Sequence, residues 1–143
     1  MLISQILKSK GDLVFTLTPE ETVGSAASLL YSRRVGALVV TEAQGSVAGI
    51  VSERDVVRLV AKEGAAGLAR PVSACMTRDV VFADPSESVD ALLARMTDRR
   101  IRHLPVCRDM RLVGIVSIGD LVKAKIEETE AEAQHLKQYI AAG

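Results

Sequence analysis

The sequence predicts an α/β (α+β) fold made of two tandem repeats, each with the element order β-α-β-β-α. Gly49-Ile50-Val51-Ser52, followed by Asp55, recurs as Gly114-Ile115-Val116-Ser117, followed by Asp120. The similarity continues upstream and pairs residues 14–40 with residues 80–106. Two copies of one unit fill most of the 143 residues, which indicates a pseudo-two-fold pair of small mixed sheets with helices on one face.

Each repeat begins with a predicted strand and helix. The strands are expected at residues 12–17 and 79–83. Thr18-Pro19 and Asp84-Pro85 each offer a capping side chain, a Pro at the first helical position and a Glu three residues after the cap, so we expect both helices to begin there. Apolar residues at helical spacing predict one buried stripe on each helix. These are Val23, Ala26, Ala27 and Leu30, and Val89, Leu92, Leu93 and Met96.

Two further strands and a second helix complete each repeat. Runs rich in β-branched residues predict strands at 37–41 and 47–52 in the first copy, and at 103–107 and 112–117 in the second. The second helix follows at Arg54 or at Gly119. The resulting domain boundaries are 1–62 for the first repeat, 63–78 for the linker and the segment leading into the second repeat, 79–126 for the second repeat, and 127–143 for a C-terminal helix.

The linker and the C-terminal helix have contrasting patterns. Gly64, Gly67 and Pro71 interrupt residues 62–74 and predict a linker. Beyond Asp120, apolar residues alternate by four and three positions, which predicts that the helix runs on. This seam is equally compatible with a helix that binds a partner and with one that lies on its own domain. Its members are Val122, Ile126, Thr129, Ala133, Leu136 and Ile140.

The composition argues against several classes of function. Eighteen basic and 18 acidic residues balance, and aromatic residues make up 3%, so we expect no nucleic-acid binding. No charged leader or long apolar run is visible, so we expect no membrane association and a cytoplasmic protein with reduced thiols. Cys75, Cys107, His103 and His135 have no metal-ligand spacing, and no nucleophile or carboxylate pair suggests catalysis. We therefore expect neither a metal nor an enzyme.

The element order and the repeated Gly-Ile-Val-Ser segments with their following Asp resemble the cystathionine-β-synthase domain pair, also called a CBS pair or Bateman module. The resemblance covers about residues 14–126. Arg102-His103-Leu104-Pro105-Val106 resembles the usual second strand of the family, and Cys75-Met76-Thr77 resembles the end of its leading segment. The first copy has Gly36-Ala37-Leu38-Val39 in place of the Arg-His pair, so we expect two sites that are not equivalent.

The repeated motif is suited to binding a nucleotide. Ser52 and Ser117 end an apolar strand just before a helix, where free N–H groups and the positive end of the helix favour an anion such as phosphate. Asp55 and Asp120 lie in the first helical turn and could accept hydrogen bonds from two ribose hydroxyls. The structural alternative is a capping box with Asp in place of Glu, and the two roles can coexist.

The resemblance implies two clefts, each completed by residues of both copies. One cleft combines Ser117, Asp120 and Ile115 with Val14, Phe15, Val35, Gly36 and Ala37. The other combines Ser52, Asp55 and Ile50 with Val80, Val81, Ile101 and Arg102. The apolar strand residues are expected to form a slot for adenine.

Basic residues cluster near both motifs. For Arg33, Arg34, Arg99 and Arg100, we favour the role of solvated residues at helix ends. Arg54, Arg102 and His103 are better placed to bind phosphate, although His103 could also be a neutral residue at the core edge.

These observations lead to one principal hypothesis and several alternatives. The chain is expected to be a regulatory module that binds an adenine nucleotide, AMP first, forms a homodimer and acts through an unidentified protein partner. NADH, ATP and S-adenosylmethionine are alternative ligands, and no cofactor is required. A structural dimerisation module without a ligand is the alternative from another class.

Overall fold

A computed structural model describes residues 1–142, which contain five α-helices and five strands and confirm the predicted α/β fold class. The described residues group into two compact units. Residues 13–81 with 110–113 form the first-repeat unit, and residues 1–12, 82–109 and 114 onward form the second-repeat unit. The helices are α1 (Ile3–Lys10), α2 (Val23–Arg33), α3 (Glu53–Glu63), α4 (Val89–Arg99) and α5 (Ile118–Ala142), and the strands are β1 (Thr16–Leu17), β2 (Ala37–Thr41), β3 (Val47–Ser52), β4 (His103–Arg108) and β5 (Arg111–Ser117).

The first-repeat unit is built on a three-stranded mixed sheet. Strand β1 lies parallel to β2, and β2 lies antiparallel to β3, with Ala37 opposite Ser52. The predicted bounds of β2 and β3 are confirmed, because their β-branched runs fit a buried sheet. The sheet and α2 share one apolar core, formed by Leu17, Ala26, Leu30, Leu38, Val40, Val51, Val72 and Met76.

The second-repeat unit joins the strand pair β4–β5 to three helices. Helices α4 and α5 pack together, and the predicted stripe of α4 is buried at Val89, Leu92 and Met96. Helix α1, which the sequence analysis assigned to the first repeat without predicting a helix, belongs to this unit. Its buried Ile3, Ile6 and Leu7 recur at helical spacing, and this pattern could have identified it.

The predicted starts of α2 and α4 are wrong. The caps are Thr22 and Ser88, each four residues after the predicted cap, and their hydroxyls accept hydrogen bonds from backbone N–H groups at 3.1 Å. At Thr18, the backbone N–H instead donates to Glu21 at 2.7 Å and closes a turn. The Asp84 N–H donates to Glu87 at 2.9 Å in the same way. A Pro-containing turn thus makes one of the two bonds that define a capping box.

The opening strands of the two repeats are much shorter than predicted. Of residues 12–17, only Thr16 and Leu17 form a strand. Residues 79–83 form none, and a single parallel bridge joins Ala83 to Val106. Strand β4 ends one residue later than predicted and β5 begins one residue earlier.

The predicted linker is an ordered part of the first-repeat unit. Helix α3 runs to Glu63, and two 3-10 helices follow at Gly64–Ala69 and Val72–Ala74. The Arg70 guanidinium pairs with Glu63 at 2.7 Å, and the side chain of Val72 is fully buried in the core. Gly64, at φ +69°, provides the turn after α3.

Helix α5 confirms that the chain stays helical beyond Asp120. Leu121 and Ala124 are its buried residues, whereas all six residues of the predicted seam are exposed. Residue 143 of the predicted C-terminal helix lies outside the described residues. Across residues 1–142, no helix is both long enough and apolar enough to cross a membrane.

Candidate ligand-binding sites

The first candidate site lies where β3 ends and α3 begins. Ser52 and Asp55 form a reciprocal capping box. The Ser52 N–H donates to Asp55 Oδ2 at 2.9 Å, and the Asp55 N–H donates to Ser52 Oγ at 3.4 Å. The Ser52 hydroxyl also donates to Asp55 Oδ2 at 3.1 Å. The structural role considered for this motif is therefore present, and the helix end is satisfied by its own side chains.

Four more predicted residues of this unit lie on β2 or beside it, and β2 pairs with β3. Ala37 pairs with Ser52 in the sheet, and the Gly36 carbonyl accepts a hydrogen bond from the Glu53 N–H at 3.1 Å. Val35 and Phe15 are half-buried against the core of the unit. Gly36, Ala37, Ser52 and Asp55 thus lie together in this unit, whereas the family resemblance assigns Gly36 and Ala37 to the cleft of Ser117 and Asp120.

The carboxylate of the first site is enclosed. The Asp55 side chain is 8% exposed, and the Arg58 guanidinium lies 3.6 Å from its Oδ1. The backbone of Ile50 is also occupied, because its N–H and carbonyl both bond to Thr77, at 3.0 and 2.8 Å. Val80 and Val81 are half-buried beyond this bridge, and Arg54 is exposed on the first turn of α3.

The second candidate site repeats this geometry where β5 ends and α5 begins. The Ser117 N–H donates to Asp120 Oδ2 at 2.9 Å, and the Asp120 N–H donates to Ser117 Oγ at 3.1 Å. The Ile118 N–H donates to the Arg102 carbonyl at 2.8 Å, as Glu53 does to Gly36 in the first copy. The structure thus brings Ser117, Asp120 and Arg102 together.

Lys10, at the end of α1, makes the second site different from the first. Its ammonium lies 2.6 Å from Asp120 Oδ2 and donates to the Ile115 carbonyl at 2.8 Å. The Asp120 side chain is 27% exposed, against 8% for Asp55. The hydrogen bonds from Lys10 and from the Ser117 N–H both end on Oδ2. The Asp120 carboxylate is therefore more accessible to a ligand than that of Asp55.

The charge state of Asp120 follows from opposing effects. Burial raises the pKa of this carboxyl, but the hydrogen bond and charge of Lys10, together with the N–H and hydroxyl of Ser117, outweigh it. The pKa of Asp120 consequently lies below its ordinary value. Asp120 is an anion at neutral pH and can accept hydrogen bonds from hydroxyl groups.

A cavity of about 280 Å³ adjoins the Lys10–Asp120 pair. Helices α1 and α5 form its walls, and all of its lining residues belong to the second-repeat unit. Two lysines and two carboxylates give it a mixed charge. It is lined by Met1, Gln5, Ile6, Ser9, Lys10, Asp120, Lys123, Ala124 and Glu127.

The remaining predicted residues lie at the start of β4 or just before it, and β4 pairs with β5. Ile101 and His103 are half-buried and Arg102 is exposed, at the beginning of β4. The arginines assigned to helix ends are all exposed, and two have defined local roles. Arg34 and Arg100 cap α2 and α4 in the left-handed conformation, both at φ 54°.

Arg33 has a partner that the sequence did not reveal. Its guanidinium lies over the Phe15 ring, 5.1 Å from the centroid. Arg33 therefore contacts a residue predicted to line the adenine slot. No sequence pattern connects these two positions.

The structure defines the surroundings of the two cysteine thiols and of the potential metal ligands. Burial raises the pKa of the Cys75 thiol, helped by the charge of Asp55, and burial also raises that of Cys107. A thiol with a raised pKa is a poor nucleophile at neutral pH. Within the described residues, no three His, Cys, Asp or Glu side chains are placed to hold a metal ion.

Each cleft implied by the family resemblance draws on both compact units. Ser117, Asp120 and Ile115 lie in the second-repeat unit, whereas Phe15 and Gly36 lie in the first-repeat unit. The structure establishes the geometry within each unit. The pairing of the two sets into clefts stays a prediction.

Comparison with known proteins identifies the family of the repeats. The model of the CBS domain matches residues 11–62 and 72–127. The mitochondrial CBS domain-containing protein CBSX3 of Arabidopsis thaliana is 37% identical over 149 residues, covering 99% of this chain and 72% of that protein. These matches include both Ser-x-x-Asp segments.

Solved structures show the same fold. The CBS-domain containing protein ATU1752 from Agrobacterium tumefaciens superposes with a TM-score of 0.86 at 45% identity, covering 87% of this chain and 99% of that one. The CBS domain pair of protein MJ0100 was solved in complex with 5′-methylthioadenosine and S-adenosyl-L-methionine. It superposes with a TM-score of 0.80 at 25% identity, covering 90% of this chain and 98% of that one. The chain therefore belongs to the CBS domain family and carries two CBS domains in tandem.

Proposed function

We propose that this CBS pair is a regulatory module that binds an adenine nucleotide, with AMP as its ligand and Asp120 as the ribose-binding residue. The observation that carries the proposal is the ionised Asp120 carboxylate, which is 27% exposed and whose hydrogen bonds with Lys10 and the Ser117 N–H both end on Oδ2. Two adjacent ribose hydroxyls are donors suited to such a group. The MJ0100 pair, which has the same fold, was solved with two adenosine-containing ligands.

The phosphate would be bound by groups around the start of α5. His103 begins β4, and Arg102 directly precedes it. The family resemblance assigns Arg102 to the cleft of Ser52 and Asp55, but its carbonyl accepts a hydrogen bond from Ile118, the first residue of α5. Arginine binds phosphate through two parallel hydrogen bonds, and the helix N-terminus adds a favourable field. The first copy has Gly36 and Ala37 at the matching positions, so the second site is proposed to bind the nucleotide more tightly.

NADH, ATP and S-adenosylmethionine remain alternative ligands of the same site. A structural module without a ligand is the candidate from another class, and a specific observation favours it. Both Ser-x-x-Asp motifs already satisfy their helix ends, and Asp55 is enclosed. The partial exposure of Asp120 favours the ligand-binding role for the second copy.

A regulatory module without chemistry of its own must act through a partner. We propose that the chain is cytoplasmic, forms a homodimer and passes its ligand state to another protein. The exposed apolar residues Ile126, Leu136 and Ile140 on α5 support association with a second chain.

The first test identifies the ligand. Small molecules released from the purified protein are analysed by mass spectrometry, and AMP, ATP, NADH and S-adenosylmethionine are then titrated by calorimetry. We expect AMP to bind most tightly. If none of the four binds, the structural-module alternative is favoured.

The second test assigns the site. Asp120→Asn removes the charge but keeps an oxygen that can accept the Ser117 N–H bond, so we expect AMP affinity to fall about tenfold or more, as for loss of a hydrogen bond to a charged group. Asp90→Asn is the matched control, because Asp90 is also in the first turn of a helix and pairs with a lysine, Lys125 at 3.0 Å. Equal AMP affinity in the wild type and Asp120→Asn would contradict the assignment.

A further inference from the structure

Lys10 occupies the groups that the ligand needs in the second site. Its ammonium bonds to Asp120 Oδ2 at 2.6 Å and to the Ile115 carbonyl at 2.8 Å. Asp120 and Ile115 are both residues of the proposed nucleotide site. The ammonium therefore makes hydrogen bonds to the groups that a bound nucleoside would contact.

The first copy shows that this occupation is particular to the second site. Ile50 matches Ile115 in the repeat, and its carbonyl accepts a hydrogen bond from the backbone N–H of Thr77 at 2.8 Å. A backbone bond of this kind holds two segments together. In the second copy, the group on the carbonyl is the end of a flexible, 36% exposed lysine side chain, which can move without unfolding α1.

We propose that Lys10 makes the second site selective for phosphorylated adenosine ligands: it occupies Asp120 when the site is empty and pairs with the ligand phosphate when the ribose hydroxyls replace it. This inference rests on the proposed function and concerns the charge of the ligand. The selectivity follows from what happens to the displaced ammonium.

A neutral nucleoside leaves the displaced ammonium without its carboxylate partner. A nucleoside monophosphate carries an anion on the same ribose, so the lost ion pair is replaced by a new one. The expected order of affinity is AMP, then adenosine.

The test compares AMP and adenosine by calorimetry on the wild type and Lys10→Ala. In the variant, adenosine should bind more tightly, because its internal competitor is gone. The preference for AMP over adenosine should fall about tenfold, the size of one hydrogen bond to a charged group. Damage to the fold would weaken both ligands together, so it would not produce this pattern.

Lys8→Ala is the matched control, since Lys8 is an exposed lysine on the same helix and forms no ion pair within residues 1–142. Lys8→Ala should leave the ratio of AMP affinity to adenosine affinity unchanged. If Lys10→Ala does not fold, Lys10→Gln, which removes only the charge, is measured instead and should lower the ratio too.

Different results would overturn the proposed function and the proposed role of Lys10. If both ligands bind through Asp120 but the ratio is the same in the wild type, Lys10→Ala and Lys8→Ala, the selectivity role is overturned and the site remains. If neither ligand binds to the wild type, the proposed function fails and the role of Lys10 fails with it.

Discussion

At the scale of single residues, Asp55 and Asp120 occupy matching positions but have different neighbours. Both accept the N–H of the preceding Ser and complete a capping box. Asp55 is enclosed and faces Arg58, whereas Asp120 is partly exposed and pairs with Lys10. The motif could be predicted from sequence because its bonds are local. The contact with Lys10 could not, because 110 residues separate the pair and no periodicity connects them.

The Lys10–Asp120 pair predicts a pH-dependent contribution to stability. The pKa of Asp120 is lowered in the folded protein relative to about 3.9 in an unfolded chain. Its stabilising effect is therefore present above that unfolded value and is lost as the pH falls through the lower, folded one. Lys10→Ala should lower the free energy of unfolding at pH 7 by about 0.2–1 kcal/mol, the range for partly exposed pairs.

Urea unfolding of the wild type and Lys10→Ala, followed from pH 7 to below pH 4, measures this effect. The difference in the free energy of unfolding between the wild type and Lys10→Ala should become smaller at acid pH. Lys123 and Glu127 line the same cavity, so Lys123→Ala controls for its general charge. A difference that stays constant or widens in acid would contradict the role of the pair.

At the scale of elements, two glycines allow neighbouring segments to approach the last strand of each repeat. A Cβ on Gly49 would lie 2.7 Å from the Thr77 carbonyl oxygen, and one on Gly114 would lie 2.6 Å from the Leu7 Cδ2. In the first copy the neighbour is backbone, and in the second it is the end of a side chain on α1. The leading segment and α1 thus take the same place beside the two repeats.

Because the neighbours of the two glycines differ, we expect substitution by Ala to destabilise the two units by different amounts. Gly49→Ala should destabilise its unit by about 1–3 kcal/mol, because a backbone carbonyl cannot move without breaking the Ile50–Thr77 bridge. Gly114→Ala should cost less, since the Leu7 side chain can adopt another rotamer. Urea denaturation of the two variants compares them. A larger loss for Gly114→Ala would show that Leu7 is the more rigid neighbour.

The helices and strands also show which sequence signals were sufficient to predict the bounds of an element. Strands β2 and β3 were predicted at their observed bounds, because a run of β-branched residues beside a turn has few other structures available. The starts of α2 and α4 were misplaced, because Thr18-Pro19 and Asp84-Pro85 form turns that share a bond with a capping box. Ser and Thr caps four residues later compete for the same role.

At the scale of the whole molecule, the duplication supplies two copies of one fold, and the copies differ from each other at the two candidate sites. Only the second copy has an Arg and a His, Arg102 and His103, where β4 begins. Within residues 1–142, its carboxylate is the one that pairs with a lysine of α1. The family and its repeat organisation could be predicted from sequence. The unequal state of the two carboxylates required the structure, since it depends on burial and on residues distant in the chain.

A double-mutant cycle tests whether the Asp120 carboxylate binds the ribose hydroxyls of an adenine nucleotide. It combines a change in the ligand with a change at residue 120. AMP and 2′-deoxy-AMP are titrated into the wild type and into Asp120→Asn, with Asp90→Asn as the control. Loss of the hydroxyl should weaken AMP binding about tenfold in the wild type and in the control, but no more than about twofold in Asp120→Asn. An equal loss in all three proteins would contradict this prediction.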